Sequence, residues 1–392
     1  MRYQDKAAII KPMQYRSFPK IYDVSVSALG LGCMRLPIID GDPARIDKPK
    51  ADAVFEAALE AGVNYFDTAW AYHKGSSEAW LGEAVEQFSA RDKLYIASKS
   101  PVWLVQKESD WEKFLDQQLK KLKTGYIDFY LMHALNRDRW NTILQKGGLE
   151  FLAKAKKDGR IKHAGFSFHD SYKVFKDIVD GWDNWEFCQI QYNYLDEEYQ
   201  AGAAGLRYAE EKALGVIVME PLRGGALANI PKAVLDIFAS YVKPRIAVEW
   251  ALRHVLDRQE VVMALSGMGK TQELWENVAI ASSARINSIS RAERAFLDKA
   301  KAWFDARMAV PCTGCGYCKP CPFGVNIPEV FGLWNRALMF DNREKASKSY
   351  KSEFASEGGP ANCTQCEHCI PLCPQGINIP AKLREARQFF EL

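Results

Sequence analysis

The sequence predicts an α/β protein in which a (β/α)8 TIM barrel is followed by a small, mostly helical, cysteine-rich domain. Short apolar runs alternate with longer amphipathic runs from Val26 to about Ala284. Eight such pairs in about 260 residues match the size and rhythm of a barrel of this type. Beyond the last pair, eight of the ten cysteines lie between Cys312 and Cys373. These features predict two domains of different kinds.

Eight short apolar runs bounded by turn residues are the strand candidates. In chain order they are residues 29–33, 64–66, 93–98, 126–131, 163–167, 187–191, 215–219 and 261–265. The amphipathic runs between them are the helix candidates, which cover residues 50–61, 77–87, 110–122, 148–157, 171–180, 198–212, 244–256 and 271–281. Gly62 and Gly159 stand just past helix ends, where a left-handed residue is favoured. An open doubly wound sheet is the alternative, but no Gly-x-Gly-x-x-Gly follows the first strand, which disfavours it.

The flanking segments complete the predicted organisation. Residues before Val26, including 13–18, are expected to form a short hairpin or cap outside the barrel. Residues 290–307 read as a charged amphipathic helix, and residues 329–356 as an apolar helix followed by a loop rich in Lys, Ser and Glu. The predicted domains are 1–285 for the barrel with its cap, 286–311 for the connecting helix and 312–392 for the cysteine-rich domain.

The clustered cysteines form two runs that each end in Cys-Pro. The first run is Cys312, Cys315, Cys318 and Cys321, and the second is Cys363, Cys366, Cys369 and Cys373. This arrangement resembles a two-cluster bacterial ferredoxin, in which three cysteines of each run hold one [4Fe–4S] cubane and the fourth crosses to the other cluster. That resemblance assigns one cluster to Cys312, Cys315, Cys318 and Cys373, and the other to Cys363, Cys366, Cys369 and Cys321.

Two other kinds of site also use clustered cysteines. Structural zinc sites usually pair two separate Cys-x-x-Cys knuckles, which suits these runs less well than a cubane does. Disulfides are disfavoured because no signal sequence opens the chain and cytosolic thiols stay reduced. The first run has two residues before its last cysteine where the ferredoxin pattern has three, so Cys321 is the ligand least well supported by spacing.

Composition narrows the function classes. A hydrophobic content of 48% and a charged content of 26% are those of an ordinary soluble globular protein. The net charge of +3 is not accompanied by a basic run, which argues against nucleic acid as a partner. The N-terminal residues lack a signal-peptide core, and no stretch approaches the ~18 apolar residues of a membrane span. We therefore expect a cytoplasmic protein without a membrane partner.

Four polar residues lie at or near the ends of the second, third and fourth predicted strands, where barrel enzymes place their chemistry. They are Asp67, Tyr72, Lys99 and His133. The pKa of a phenol, near 10, is too high for neutral chemistry, but a neighbouring ammonium stabilises the phenolate and lowers that pKa. A carboxylate keeps the ammonium charged and in place. The imidazole can orient a carbonyl. Each residue alone fits a structural role, such as a loop cap or a core histidine, but the four together favour a proton-delivery site.

The segment FDTAWAYHKGSSEAWLG, with Lys99 and His133 downstream, resembles the aldo/keto reductase superfamily over residues 13–285. GLGCMRLP, VMEPLRGG and ENVAIA are also similar to family segments. The resemblance implies a (β/α)8 barrel that reduces carbonyls with NAD(P)H, with Asp67, Lys99 and His133 catalytic and Tyr72 as general acid. The whole chain resembles the subgroup that carries a C-terminal ferredoxin-like 4Fe–4S domain.

The same resemblance implies which residues bind the cofactor. The nicotinamide amide would be held by Ser167 and Gln189, and Met219 would stand where many members stack an aromatic ring. The remaining implied positions are Pro221, Leu222, Gly224, Gly267, Lys270, Glu276 and Asn277. Where members often carry basic residues for the adenosine 2′-phosphate, this chain has Gly267, Met268 and Glu273, with Lys270 nearby. We therefore expect NADH to bind at least as well as NADPH.

The resulting prediction is an NAD(P)H-dependent oxidoreductase that interconverts a carbonyl and an alcohol, with two [4Fe–4S] clusters for electron transfer. A hydride carries two electrons whereas a cluster accepts one at a time, so two alternatives stay open. In one, flavin or the clusters deliver single electrons without nicotinamide. In the other, the chain is an electron-transfer module with a scaffold barrel. The expected partners are a small-molecule carbonyl or alcohol and a redox partner protein.

Overall fold

The computed structural model describes residues 11–312, 314, 316–354, 357–373 and 375–391. The chain divides into two compact units. The first comprises the described residues of Met1–Glu197, Ala201–Gly225 and Val248–Ile289, and the second those of Glu198–Gln200, Ala226–Ala247 and Ser290–Leu392.

The first unit is a closed barrel of eight parallel strands, preceded by an antiparallel hairpin. The hairpin strands are β1 (Tyr15–Phe18) and β2 (Ile21–Ser27). The barrel strands, in order around the barrel, are β3 (Leu29–Gly32), β4 (Tyr65–Asp67), β5 (Tyr95–Ser100), β6 (Ile127–Leu135), β7 (Ile161–Phe168), β8 (Phe187–Gln191), β9 (Gly215–Met219) and β10 (Val261–Ser266). All eight predicted barrel strands and the hairpin are confirmed.

The helices follow the same chain order. They are α1 (Lys48–Glu60), α2 (Ser77–Gln87), α3 (Ser109–Lys121), α4 (Arg137–Gln145), α5 (Gly148–Lys157), α6 (Tyr172–Asp180), α7 (Gly202–Glu211), α8 (Lys232–Ala239), α9 (Ala247–Leu256), α10 (Thr271–Ser283), α11 (Arg291–Asp305), α12 (Ile327–Met339), α13 (Arg343–Glu353) and α14 (Ile379–Glu391). The eight helices predicted between strands are confirmed, whereas α4, α8 and α14 were not predicted. No helix in the described ranges is both long and apolar enough to cross a bilayer.

An aromatic layer fills the barrel at the end where the hairpin lies. Phe18 of β1 reaches the barrel interior, where its ring centroid is 5.2 Å from that of Phe129 and 6.1 Å from that of Phe187. Gly215 begins β9 beside this ring, since a Cβ there would lie 2.1 Å from Phe18. The N-terminal ends of the strands are therefore occupied by packing, which leaves the opposite, C-terminal ends for a site.

The second unit has its own apolar core, built largely from α12 and α14. The predicted helix 290–307 is confirmed as α11, which opens with a reciprocal capping box between Ser290 and Glu293. Residues 343–353, predicted as part of a loop, are instead the helix α13. Ala346 and Tyr350 are spaced four residues apart and buried, and the Tyr350 ring stacks on Phe390 at 4.5 Å. This tertiary packing explains why a segment of strongly polar composition is helical.

Candidate functional site

The four residues of the predicted proton-delivery site lie on consecutive strands at the C-terminal end of the barrel. Asp67 is the last residue of β4, Lys99 lies near the end of β5, and His133 lies in the last part of β6. Tyr72 begins a short 3-10 turn after β4. The strands are parallel and adjacent, so the fold brings together residues that are far apart in the chain.

Lys99 connects the group. Its Nζ donates to Asp67 Oδ1 at 2.5 Å, to the Thr68 carbonyl at 2.9 Å and to Tyr72 Oη at 3.3 Å. The Lys99 side chain is 1% exposed and that of Asp67 4% exposed, so this is a buried ion pair. Burial alone would lower the pKa of Lys99, but its interactions with Asp67 and, second, with Tyr72 raise it above its ordinary value. The amine therefore stays an ammonium.

Asp67 is held from two sides. One oxygen accepts from Lys99, and Oδ2 accepts from Gln189 Nε2 at 3.2 Å. Burial raises the pKa of Asp67, and the ammonium of Lys99 opposes that rise. Gln189 was predicted to hold a cofactor amide, and the structure joins it directly to the proton-delivery group.

The pKa of Tyr72 moves in the direction opposite to the one that Lys99 alone would cause. Burial raises the pKa of the phenol, and the ammonium of Lys99 opposes this effect without outweighing it. Tyr72 is therefore protonated at neutral pH and available as a proton donor. The expectation of a lowered pKa considered the cation but not the loss of solvation, which the sequence does not reveal.

His133 faces Tyr72 across the site. The two ring centroids are 6.0 Å apart in an edge-on arrangement. Burial, followed by the charges of Lys99, His169 and Arg139, lowers the pKa of His133 well below 6.5. The imidazole is therefore neutral. Within the described part of the chain its buried Nδ1 has no hydrogen-bond partner, which leaves polar capacity for a bound molecule.

A second histidine fixes the turn that carries Tyr72. His73 is buried, its Nδ1 lies 2.9 Å from the Pro43 carbonyl, and its Nε2 accepts from the Leu36 amide at 3.2 Å. These contacts are consistent with a neutral ring protonated at Nδ1, and burial lowers the pKa of His73 accordingly. His73 has a left-handed φ of 51°, which makes this turn sharp. Sequence reasoning assigned no role to His73.

The residues predicted to bind a cofactor are distributed along the C-terminal ends of strands β7 to β10. Ser167 is the penultimate residue of β7 and is buried, and its Oγ accepts from the Ala134 amide at 2.6 Å. Met219 is the last residue of β9, and the segment after it contains Pro221, Leu222 and Gly224. Gly267 and Lys270 lie between β10 and α10.

Two predicted cofactor residues lie on α10 itself, with different surroundings. Asn277 is buried and its Nδ2 donates to Ser266 Oγ at 3.1 Å, so it supports the end of β10. Glu276 is exposed and accepts from Gln272 Nε2 at 2.8 Å. Glu273, one turn earlier, turns back to accept from the Gly269 amide at 2.9 Å. A carboxylate thus already occupies the N-terminal end of this helix.

Arg35, in the loop after β3, is a cation at this rim that sequence reasoning missed. Its side chain lies across two predicted cofactor glycines. A Cβ on Gly267 would lie 2.9 Å from Arg35 Cβ, and one on Gly224 would lie 3.0 Å from the guanidinium. Gly224 also has a left-handed φ of 65°. The two glycines therefore make room for a guanidinium between the loops after β9 and β10.

The second unit contains a cavity lined by cysteines of both runs. It is partly open to solvent, with about 330 Å³ of empty space including that open part, and its lining includes Cys312, Cys318 and Cys373 together with Ile327, Phe331 and Ile377. Three of the four cysteines assigned to the first cluster therefore share one apolar chamber. Cys315, the fourth, lies outside the described residues. Convergent thiols in an apolar shell fit a [4Fe–4S] cluster.

The cysteines of the other predicted group are close enough to influence one another electrostatically. Burial raises the pKa of Cys369, a backbone hydrogen bond opposes that rise, and smaller contributions that raise it come from Cys363, Cys321 and Cys366. These four are the cysteines assigned to the second cluster, including Cys321, whose spacing departed from the ferredoxin pattern. Cys33 and Cys188 are instead fully buried in the barrel.

Two residues near His133 were not singled out from the sequence. Trp103, which is 41% exposed, follows β5, and its ring centroid is 5.2 Å from that of His133. Arg139 belongs to α4, and its guanidinium lies 5.3 Å from the Trp103 ring. The signal that could have found Arg139 is the Asn136 cap of α4, whose Oδ1 accepts from the Arg139 amide at 2.9 Å.

Comparison with known proteins matches both units. The model of the aldo/keto reductase family matches residues 28–293, and the model of the 4Fe-4S dicluster domain matches residues 311–378. An uncharacterized oxidoreductase of Schizosaccharomyces pombe is 29% identical over 275 residues, which are 67% of this chain and 84% of that protein. Methylglyoxal reductase of Escherichia coli is 25% identical over 303 residues, which are 74% of this chain and 95% of that enzyme.

Solved structures show the same fold. An aldo-keto reductase from Bacillus halodurans in its apo form is 25% identical with a TM-score of 0.57, and the match covers 73% of this chain and 95% of that one. An aldo-keto reductase from Klebsiella pneumoniae in complex with NADPH has a TM-score of 0.58 at 20% identity, over 74% of this chain and 95% of that one. The second likeness supports the fold alone.

Proposed function

Because this chain belongs to the aldo/keto reductase family and carries a 4Fe-4S dicluster domain, we propose that it reduces a carbonyl to an alcohol with NAD(P)H. The observation that carries the proposal is the Lys99 ammonium, which bonds both Asp67 and Tyr72 in a buried site. The name of the Escherichia coli relative, methylglyoxal reductase, supports the same reaction class. The assignment of catalytic roles to Asp67, Tyr72, Lys99 and His133 is part of this proposal.

The four residues would act on the carbonyl oxygen. Tyr72 and His133 lie on two sides of the site and each can donate a hydrogen bond to that oxygen. As negative charge develops there, Tyr72 transfers its proton and is left as a phenolate beside Lys99. Asp67 keeps Lys99 charged and in position throughout. A nicotinamide, when bound, would supply the hydride for the carbon.

Ser167 and Gln189 each keep a hydrogen-bonding group that could bind a carboxamide. Ser167 Oγ already accepts from Ala134, which leaves its O–H to donate. Gln189 already donates its Nε2 to Asp67, which leaves its Oε1 to accept. One donor and one acceptor complement the C=O and NH2 of a nicotinamide amide. Arg35, held between Gly224 and Gly267, would pair with the pyrophosphate.

The experiment that tests this function is anaerobic turnover of the full-length protein with an aldehyde and NADH or NADPH. Loss of the reduced nucleotide in step with alcohol formation is the expected result. The same sample gives an absorption spectrum, in which a broad band near ~400 nm indicates iron–sulfur and separate peaks indicate flavin. No nucleotide binding together with flavin peaks would favour the single-electron alternative.

The role of the clusters is also a proposal. Cysteine thiolates around an apolar cavity fit [4Fe–4S] centres, which supply one-electron transfer when bound. We propose that two such centres exchange electrons with a redox partner protein. Their ligands would be the cavity group Cys312, Cys315, Cys318 and Cys373, and the second group Cys321, Cys363, Cys366 and Cys369.

The choice between NADH and NADPH gives a prediction about Glu273. Its carboxylate holds the Gly269 amide at the N-terminus of α10, where by our assignment a 2′-phosphate would bind. We expect wild type to bind NADH at least as tightly as NADPH. Glu273→Gln removes the charge that would repel the 2′-phosphate, so it should strengthen NADPH binding about tenfold, with little effect on NADH. The size follows from charge-assisted hydrogen bonds to a phosphate, which contribute roughly 1.5–3 kcal/mol. Equilibrium titration of both nucleotides measures this.

Lys270 provides the matching variant for that titration. It stands at the N-cap position of α10, next to the Gly269 amide that Glu273 occupies. Lys270→Ala should remove the gain in NADPH affinity that Glu273→Gln produces. Tighter binding of NADPH than NADH that survives Lys270→Ala would show that the phosphate site lies elsewhere.

A further inference from the structure

Arg139 extends the catalytic group beyond His133. Its Nη1 donates to the Ala134 carbonyl at 2.5 Å, which anchors it next to His133 in the chain. Its guanidinium lies 5.3 Å from the Trp103 ring centroid, and that ring lies 5.2 Å from His133. Starting at Tyr72, the site therefore presents a phenol, an imidazole, an indole and then a guanidinium.

The guanidinium of Arg139 forms no ion pair with the residues that the structure describes, in contrast to Arg137, which pairs with Asp177. Both oxygens of Asp170, on the neighbouring loop, accept from backbone amides. Asp138 precedes Arg139 on the exposed side of α4 and only partly opposes the effect of burial, which lowers the pKa of Arg139.

The charges that shift the pKa of His133 all act in the same direction. Lys99, His169 and Arg139 all disfavour its protonation, and the nearby Asp67 is committed to Lys99. A positive electrostatic potential here would attract an anionic group on a bound molecule. The planar guanidinium of Arg139 is suited to hydrogen-bonding two carboxylate oxygens. The ring of Trp103 offers an apolar face between the Arg139 guanidinium and His133, beside which the substrate carbonyl would bind.

We propose that the substrate is an aldehyde or ketone that also carries a carboxylate, with Arg139 binding the carboxylate and Trp103 packing on the apolar part between the two groups. This inference rests on the proposed reduction at Tyr72 and His133 and adds the substrate class to it. Arg139 is a specificity-determining residue in this assignment, because it contacts the substrate at a distance from the reacting carbon.

The test compares 4-carboxybenzaldehyde with 4-methylbenzaldehyde as substrates of the anaerobic full-length protein. Arg139→Met should lower kcat/KM for the carboxylate aldehyde about 10- to 100-fold, the range expected when a charge-assisted hydrogen bond is lost. The methyl aldehyde should change less than about threefold. Arg139→Lys, which keeps the charge without the fork, should recover part of the loss. An equal loss for both aldehydes would overturn the proposal by showing a merely structural role.

The matched control is Arg137→Met, which removes a cation two residues away that is paired with Asp177. It should leave the ratio of the two substrates unchanged, and an effect equal to that of Arg139→Met would contradict the proposal. Calorimetric binding of 4-carboxybenzaldehyde without reductant separates this inference from the proposed function. Arg139-dependent binding without turnover would retain the anion site and reject the reduction. Binding that Arg139→Met does not weaken would reject the anion site.

Discussion

Tyr72→Phe should lower kcat for carbonyl reduction by about 10²- to 10⁴-fold, the usual contribution of a positioned general acid. The substitution removes the hydroxyl that bonds Lys99 at 3.3 Å and keeps the ring that faces His133. Nucleotide affinity should stay nearly unchanged because only the proton donor is lost. Stopped-flow turnover together with nucleotide titration measures both quantities on the same preparation.

Tyr65→Phe is the matched control for this prediction. Tyr65 lies on β4, the strand that ends in Asp67, and is fully buried. Its hydroxyl has no hydrogen-bond partner among the residues that the structure describes. Its removal should therefore leave turnover within about twofold and stability equal or improved. If Tyr72→Phe kept most of the wild-type rate, Tyr72 would not be the acid.

Lys99 is a less decisive target than Tyr72. Its removal would leave the buried carboxylate of Asp67 without its cation, and breaking a buried ion pair costs about 3–5 kcal/mol. A loss of activity in Lys99→Met would therefore combine the loss of a catalytic group with a lower stability of the fold. Combining it with Asp67→Asn removes both charges, and the folded double variant should still lack activity because Tyr72 has lost its cation.

The second large effect concerns iron. The anaerobic full-length protein should contain about eight iron atoms and eight acid-labile sulfides per chain. Removing Cys318 and Cys373 together should lower this to about four, since both line one cavity and would serve one cluster. Removing Cys318 and Cys321 together should remove nearly all iron, since our proposed assignment places them in different clusters. Iron and labile-sulfide assays give both numbers.

Cys188→Ala is the control for these variants. Cys188 is fully buried in β8, and burial raises the pKa of its thiol, so it should be replaceable without loss of iron. The reverse result for the two double variants would show that each run holds its own cluster without crossing. Stoichiometric zinc without labile sulfide would reject the iron–sulfur assignment altogether.

The barrel could be predicted because its signals are local. Each strand is a short apolar run, and seven of the eight were found within about two residues of their bounds, whereas β6 continues four residues beyond its predicted end. The ends of the strands can be predicted from the ends of these apolar runs. Asp67, Lys99 and His133 could therefore be assigned to one end of the barrel from the sequence. The resemblance to a known family added the roles, which local patterns do not contain.

The features that were missed depend on tertiary contacts. The helix α13 is polar in composition and is helical where Ala346 and Tyr350 pack against the core. The helix α4 is short, and without it Arg139 had no predicted place near His133. The raised pKa of Tyr72 follows from burial, which spacing along the chain does not reveal.

The central claim is that a nicotinamide delivers hydride to a carbonyl held at Tyr72 and His133. Isotope transfer tests it most directly. The anaerobic full-length protein is given NADH deuterated at both C4 positions together with 4-carboxybenzaldehyde in ordinary water, and the alcohol is analysed by mass spectrometry. The account predicts one deuterium on the carbinol carbon of each product molecule. An alcohol without deuterium would contradict it, because the new hydrogen would then come from solvent after single-electron reduction.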